Sequence, residues 1–119
     1  MSFITTHVLN NATGLPAEGI AVELRSIGAE GDAGPGGAEG TVIATGTTDQ
    51  DGRIGDLGPE ALDSGAYRLR FAVGEYFASR GEETFFPEVT IAFAVDAAAG
   101  HYHVPLLLSP FAYSTYRGS

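Results

Sequence analysis

Side chains able to do chemistry are few in this chain, and they are unevenly placed. The densest cluster lies in the last nineteen residues, His101-Tyr-His-Val-Pro-Leu-Leu-Leu-Ser-Pro-Phe-Ala-Tyr-Ser-Thr-Tyr-Arg-Gly-Ser119. An imidazole, a phenol, a guanidinium, a hydroxyl and a terminal carboxylate fall within little more than one hairpin. Two further groups stand far away in sequence, His7 near the start and Arg53 behind the Asp51-Gly52 turn. Imidazoles exchange protons near neutral pH. An arginine fixed beside a tight turn is an anchor for an anion or a polarised carbonyl. Asp49 and Asp51 read as turn formers. No Gly-X-Ser-X-Gly elbow is present, so no serine nucleophile of that kind is supported, and Ser109 before Pro110 reads as a turn former.

The elements that must position these groups are strands. Apolar residues alternate with period two at Ile4/Thr6/Val8, Ile20/Val22/Leu24, Tyr67/Leu69/Phe71/Val73, Val89/Ile91/Phe93/Val95 and Tyr102/Val104/Leu106/Leu108. Segments 41–48, 53–57 and 111–116 add three more. Asn10–Pro16 reads as a loop, with Asp51-Gly52 and Ser109-Pro110 as tight turns. The sum is about eight strands closing as a β-sandwich, an all-β fold in one domain over residues 1–119. The one helix candidate is Glu75–Arg80. The glycine-rich stretch Gly28–Gly40 reads as a flexible loop and not as a phosphate-binding one, because no Lys-Ser/Thr follows it.

Parity then aims the side chains. His101 and His103 project from one face of their strand, while Tyr102 and Val104 point into the core. His7 is opposite in parity to Ile4, Thr6 and Val8, so it too lies outside the sandwich. The plain alternative is a solvated sheet face bearing surface histidines. Leu9, Pro105 and Leu107 share that parity, however, and a face mixing them with histidine is expected to be covered by another subunit. Phe111, Tyr113 and Thr115 keep strand alternation almost to the end, so the tail is expected to be held down.

Composition narrows the classes. With no cysteine, disulfides and thiolate chemistry are excluded, and three histidines with no carboxylate beside the His101/His103 pair argue against a metal site. A net charge of −9 disfavours nucleic acid. No run approaches the length of a membrane helix, and the first residues do not read as a signal peptide. The expected location is the cytoplasm.

Taken together, Thr6-His7-Val8-Leu9, Thr48-Asp-Gln-Asp-Gly-Arg53-Ile, Phe85-Phe-Pro-Glu-Val-Thr-Ile91 and the tail ending in Tyr-Arg-Gly-Ser resemble the 5-hydroxyisourate hydrolases, the transthyretin-related enzymes of purine breakdown. The resemblance implies an eight-stranded transthyretin-like sandwich with one short helix, a homotetramer built as a dimer of dimers, and no cofactor. It implies catalytic roles for His7, Arg53, His103 and Ser119, and substrate contacts from His7, Arg53, Tyr116, Arg117 and Gly118, with His101 supportive. The family usually has Asp where this chain has Asn10, a position that reads as a turn or packing element. Two other classes compete. One is a transthyretin-like carrier of an aromatic small molecule, which has no need of two histidines, an arginine and a fixed tail. The other, an adhesive surface sandwich, would call for a signal peptide.

Overall fold

The computed structural model describes residues 2–28 and 41–118. Its strands are β1 (Ile4–Asn10), β2 (Leu15–Pro16), β3 (Ala21–Gly28), β4 (Val42–Thr47), β5 (Arg53–Leu57), β6 (Gly65–Phe71), β7 (Val89–Val95), β8 (Tyr102–Ser109) and β9 (Ala112–Thr115). Among the described residues one α-helix, α1 (Val73–Ser79), joins β6 to β7, and a single 3-10 turn, Ala97–Ala99, precedes β8. One sheet runs β4-β3-β6-β7; in the other, β1 pairs with β2 and β5 on one side and β8 on the other, and β9 closes the edge. All pairings are antiparallel except β1 with β8.

The two sheets meet over the residues that the alternation turned inward. Ile4, Val8, Leu106 and Leu108 of one sheet and Leu24, Leu69 and Phe71 of the other are fully buried. Each such side chain contributes roughly 1.5–3 kcal/mol on leaving water. Thr6 sits among them because its hydroxyl donates to the Val104 carbonyl at 2.6 Å, which removes the cost of an unpaired buried hydroxyl.

Two features differ from the sequence reading. Val73 does not extend β6 but opens α1, which starts two residues before Glu75. The chain must turn off the sheet there, and Val73, Tyr76 and Phe77 form the buried stripe of the helix. A Cβ on Gly74 would lie 2.6 Å from the Pro87 carbonyl oxygen, so only glycine lets α1 pass this close to the segment before β7. The second is β2, a ninth, two-residue strand inside the expected Asn10–Pro16 loop, pairing with Leu9 and Asn10. Asn10 makes that turn: its Oδ1 accepts from the Ala12 and Thr13 N–H groups at 3.0 and 3.3 Å, and its Nδ2 donates to the Tyr76 hydroxyl at 3.1 Å. It is thus both a turn former and a packing element against α1. Most of the glycine-rich stretch, from residue 29 to 40, and Ser119 lie outside the described residues.

Candidate active site

The site is built on the outer face of the β5-β1-β8-β9 sheet. The Asp49–Arg53 turn comes first, because it delivers Arg53. The Asp49 carboxylate accepts from the Asp51 N–H at 2.8 Å and the Arg53 N–H at 3.0 Å. These two bonds, Arg53's first, hold its carboxyl below the ordinary range. Gly52 crosses the turn at φ +74, and its carbonyl accepts from the Val8 N–H at 2.7 Å. A Cβ there would stand 2.3 Å from the Val8 carbonyl oxygen. Gly52→Ala is therefore expected to cost at least about 1–2 kcal/mol from the left-handed backbone alone, read as a lower urea midpoint at unchanged slope. An unchanged midpoint would show that the turn is not held as described.

The turn sets Arg53 directly across from His7 in the β1–β5 register. Between Ile4 and Thr6 that register shifts, so Gly55 and Asp56 together oppose Thr5. This bulge bends β5 beside the site, as bulges near binding sites do. On the other side of β1, Thr5 pairs with His103 and His7 with Pro105. His7 and His103 are thus diagonal neighbours on one face, and Arg53 borders His7. A cleft of about 280 Å³ opens here, lined by Thr5, Arg53, Gly55, His101 and His103 among others.

His103 is gripped from two sides. Its Nδ1 lies 2.8 Å from Thr5 Oγ1, which also contacts His101 Nε2 at 3.0 Å. On its other edge lies the tail. Leu106 pairs with Thr115, and the bridge His103–Gly118 continues the same register. Pro105 falls between, opposite Tyr116, and has no N–H to donate. The ladder lapses there: the Thr115 hydroxyl donates to the Pro105 carbonyl at 2.7 Å, and pairing resumes where the Gly118 N–H donates to the His103 carbonyl at 2.8 Å. A Cβ on Gly118 would come within 2.6 Å of His103 Cδ2. Gly118→Ala must therefore displace either the tail or the imidazole. The expected result is a loss of about 10- to 100-fold in turnover, since small misplacements of a reacting group are that costly, with little change in melting temperature. Wild-type turnover by this variant would show that the close tail contact is not used.

The same register puts Arg117 opposite Val104, and so on the other face of the sheet from His103. Its guanidinium rests 4.4 Å from the centroid of the Tyr102 ring, a cation–π contact that pins the tail. Tyr102 is itself stacked on Phe3 and receives the Asp96 N–H at 2.8 Å. Within one chain, then, His7, Arg53, His103 and Gly118 come together on one face, Tyr116 is exposed beside them, and Arg117 braces the tail from behind.

Both imidazoles are tuned downward from the ordinary value of 6.5. For His7 burial does most, followed by the Arg53 charge, against an opposing hydrogen bond to the Asp51 backbone. For His103 burial again leads, followed by Arg53, His7 and His101. Near pH 7 both rings are therefore predominantly neutral, each with one nitrogen free to accept a proton. Two neutral bases beside a guanidinium form a set suited to activating water and stabilising a developing oxyanion. The contact that sequence reading missed is Thr5. It shares parity with His7, and that was the available signal, but nothing in the sequence says that β1 lies beside β8.

The model of the HIUase/Transthyretin family matches residues 4–118. The chain belongs to that family. It is 45% identical over 119 residues to the 5-hydroxyisourate hydrolase of Salmonella dublin, covering 99% of this chain and 82% of the relative. The solved 5-hydroxyisourate hydrolase of Klebsiella pneumoniae superposes with a TM-score of 0.80 at 36% identity, covering 99% of this chain and 100% of the other. Transthyretin from Sparus aurata superposes with a TM-score of 0.87 at 30% identity, covering 99% and 97%. Backbone shape is thus common to the hydrolase and the transthyretin; the side chains on the site face must decide between them.

Proposed function

We infer that this protein is a hydrolase that opens the six-membered ring of 5-hydroxyisourate, giving 2-oxo-4-hydroxy-4-carboxy-5-ureidoimidazoline in urate catabolism. The observation behind this is the pairing of two neutral imidazoles with Arg53 on one sheet face, in a chain similar over its whole length to such hydrolases. A carrier needs shape and apolar surface but no proton acceptors, and the carrier reading is the weaker one.

The geometry supports the following chemistry. Water attacks the ring carbonyl carbon as one imidazole takes its proton. The carbonyl oxygen becomes an oxyanion facing Arg53. The C–N bond then breaks, and the ring nitrogen leaves with a proton returned by an imidazole, so the net consumption is one water. His103 is assigned as the base, because Thr5 and Gly118 fix its ring; His7, paired with Arg53, is assigned to substrate contact and proton delivery. Gly118 and the exposed Tyr116 are assigned to the substrate side, Ser119 to orienting water, and Arg117 to holding the tail. None of these steps calls for a cofactor or a metal.

We further propose a homotetramer that covers the site face, and a cytoplasmic location. Half-buried Leu9 and Leu107 beside the histidines, and the exposed aromatics Phe111, Tyr113 and Tyr116 along the β9 edge, support the assembly. Sedimentation equilibrium should return four chain masses; a single chain mass would reject it. The function itself is tested by turnover in H₂¹⁸O. Many substrate molecules per chain should be opened, each placing one ¹⁸O in the new carboxyl group. Stoichiometric binding without turnover would return the carrier reading.

A further inference from the structure

We propose that Thr5 is a positioning residue that sets the tautomer of His103 by linking it to His101, so that His103 presents a bare Nε2 to water. This rests on the hydrolase reading above for its catalytic consequence. Its tautomeric claim stands apart from that reading.

The argument begins with counting hydrogens. Thr5 Oγ1 lies 2.8 Å from His103 Nδ1 and 3.0 Å from His101 Nε2. Each contact needs one proton, and the hydroxyl has only one. When Thr5 donates to His101, the other proton must come from His103 Nδ1; when Thr5 donates to His103, it must come from His101 Nε2. The two rings therefore cannot choose tautomers independently. The geometry engages Nδ1 of His103 and Nε2 of His101 through the one hydroxyl, and the Thr5 backbone pulls the His103 value upward, as an acceptor beside a ring N–H does. Both side-chain contacts are met when His103 Nδ1 carries the proton. Thr5 then donates to His101 Nε2, and the lone pair of His103 is left on Nε2.

The tail supports the same orientation from the other edge. A Cβ on Gly118 would meet Cδ2 and Cγ of His103, so the tail backbone runs beside that edge of the ring and leaves room there for a glycine alone. With Nδ1 committed to Thr5, Nε2 is the nitrogen left for water. The arrangement also gives the accepted proton a way out. After Nε2 takes a proton from water, the Nδ1 proton passes to Thr5 Oγ1 as the Thr5 proton passes to His101 Nε2. His103 returns to neutral, His101 carries the charge, and no proton is created or lost. His101, two residues along the same face, thereby has a role that touching the substrate would not require.

The experiment compares Thr5→Val, which keeps the shape and removes the hydroxyl, with Thr5→Ser, which keeps the hydroxyl. A wrong or unfixed tautomer of a catalytic imidazole, or loss of its orienting partner, costs at least about 10- to 100-fold. Thr5→Val is expected to lose that factor in kcat with KM nearly unchanged, and Thr5→Ser to stay within about threefold of wild type, as loss of only the hydroxyl's function would give. Ring ¹⁵N shifts of the free wild-type protein should show His103 protonated at Nδ1 and bare at Nε2, and those of Thr5→Val a mixture. Wild-type kcat in Thr5→Val, or His103 protonated at Nε2 in the wild type, would overturn the proposal. Should Thr5→Val fail to fold, the ¹⁵N spectrum of the wild type decides alone. A wild-type protein with no turnover would instead sink the hydrolase reading, and the spectra would still decide the tautomer.

Discussion

His103→Ala is expected to lower kcat/KM for 5-hydroxyisourate by about 10²- to 10⁴-fold, the range for removing a positioned general base. The fold should survive, because His103 points away from the core while Tyr102 and Val104 hold β8 to it. Gly118 would lose its neighbour, yet its N–H still meets the backbone carbonyl of residue 103, so the tail stays near its place. The loss should therefore fall mainly on kcat, with a melting temperature close to wild type. A variant within a few-fold of wild type would remove His103 from proton transfer and leave His7 as the sole candidate base.

Replacing Arg53 by methionine is expected to cost about 10²- to 10³-fold in kcat, as loss of one oxyanion donor does. It carries a second signature that a packing defect would not. Arg53 is the second-largest cause, after burial, that lowers both His7 and His103. In the wild type the base must be neutral, so activity is lost as pH falls through a value below the ordinary 6.5. Without the guanidinium, protonation of either ring becomes easier and both values rise. The acid limb of the residual activity should then move to higher pH. A limb that stays in place, or moves down, would show that Arg53 does not face these imidazoles in the working site.

Much of this site could be read before the fold was known, for a specific reason. Strand parity is a local property, and it turned His101 and His103 out and Tyr102 in without any knowledge of neighbours. The Asp49–Arg53 turn was equally local, since Asp and Gly supply its hydrogen bonds and its positive φ. Adjacency was not local. Period-two alternation says which way a side chain faces but not which strand lies beside it, so the parallel pairing of β1 with β8, which joins Thr5 to His103, left no mark in either segment. Arg117 shows the same limit in another form. Its position follows from a register that survives across Pro105, and nothing local to the tail tells that pairing resumes at Gly118. Val73 was lost to a different competition: its alternation fits β6, but the buried stripe of α1 and the close pass at Gly74 win it for the helix.

The family resemblance and the fold agree on the sandwich, and the transthyretin superposition shows why fold alone is not enough. The distinction lies in whether neutral imidazoles and a guanidinium on the sheet face turn a substrate over. The most direct measurement is the ultraviolet decay of freshly generated 5-hydroxyisourate with purified wild-type protein at pH 7. The expected result is an initial rate that rises in proportion to protein and far exceeds spontaneous decay. A rate indistinguishable from spontaneous decay at every protein concentration would contradict the assignment of this site.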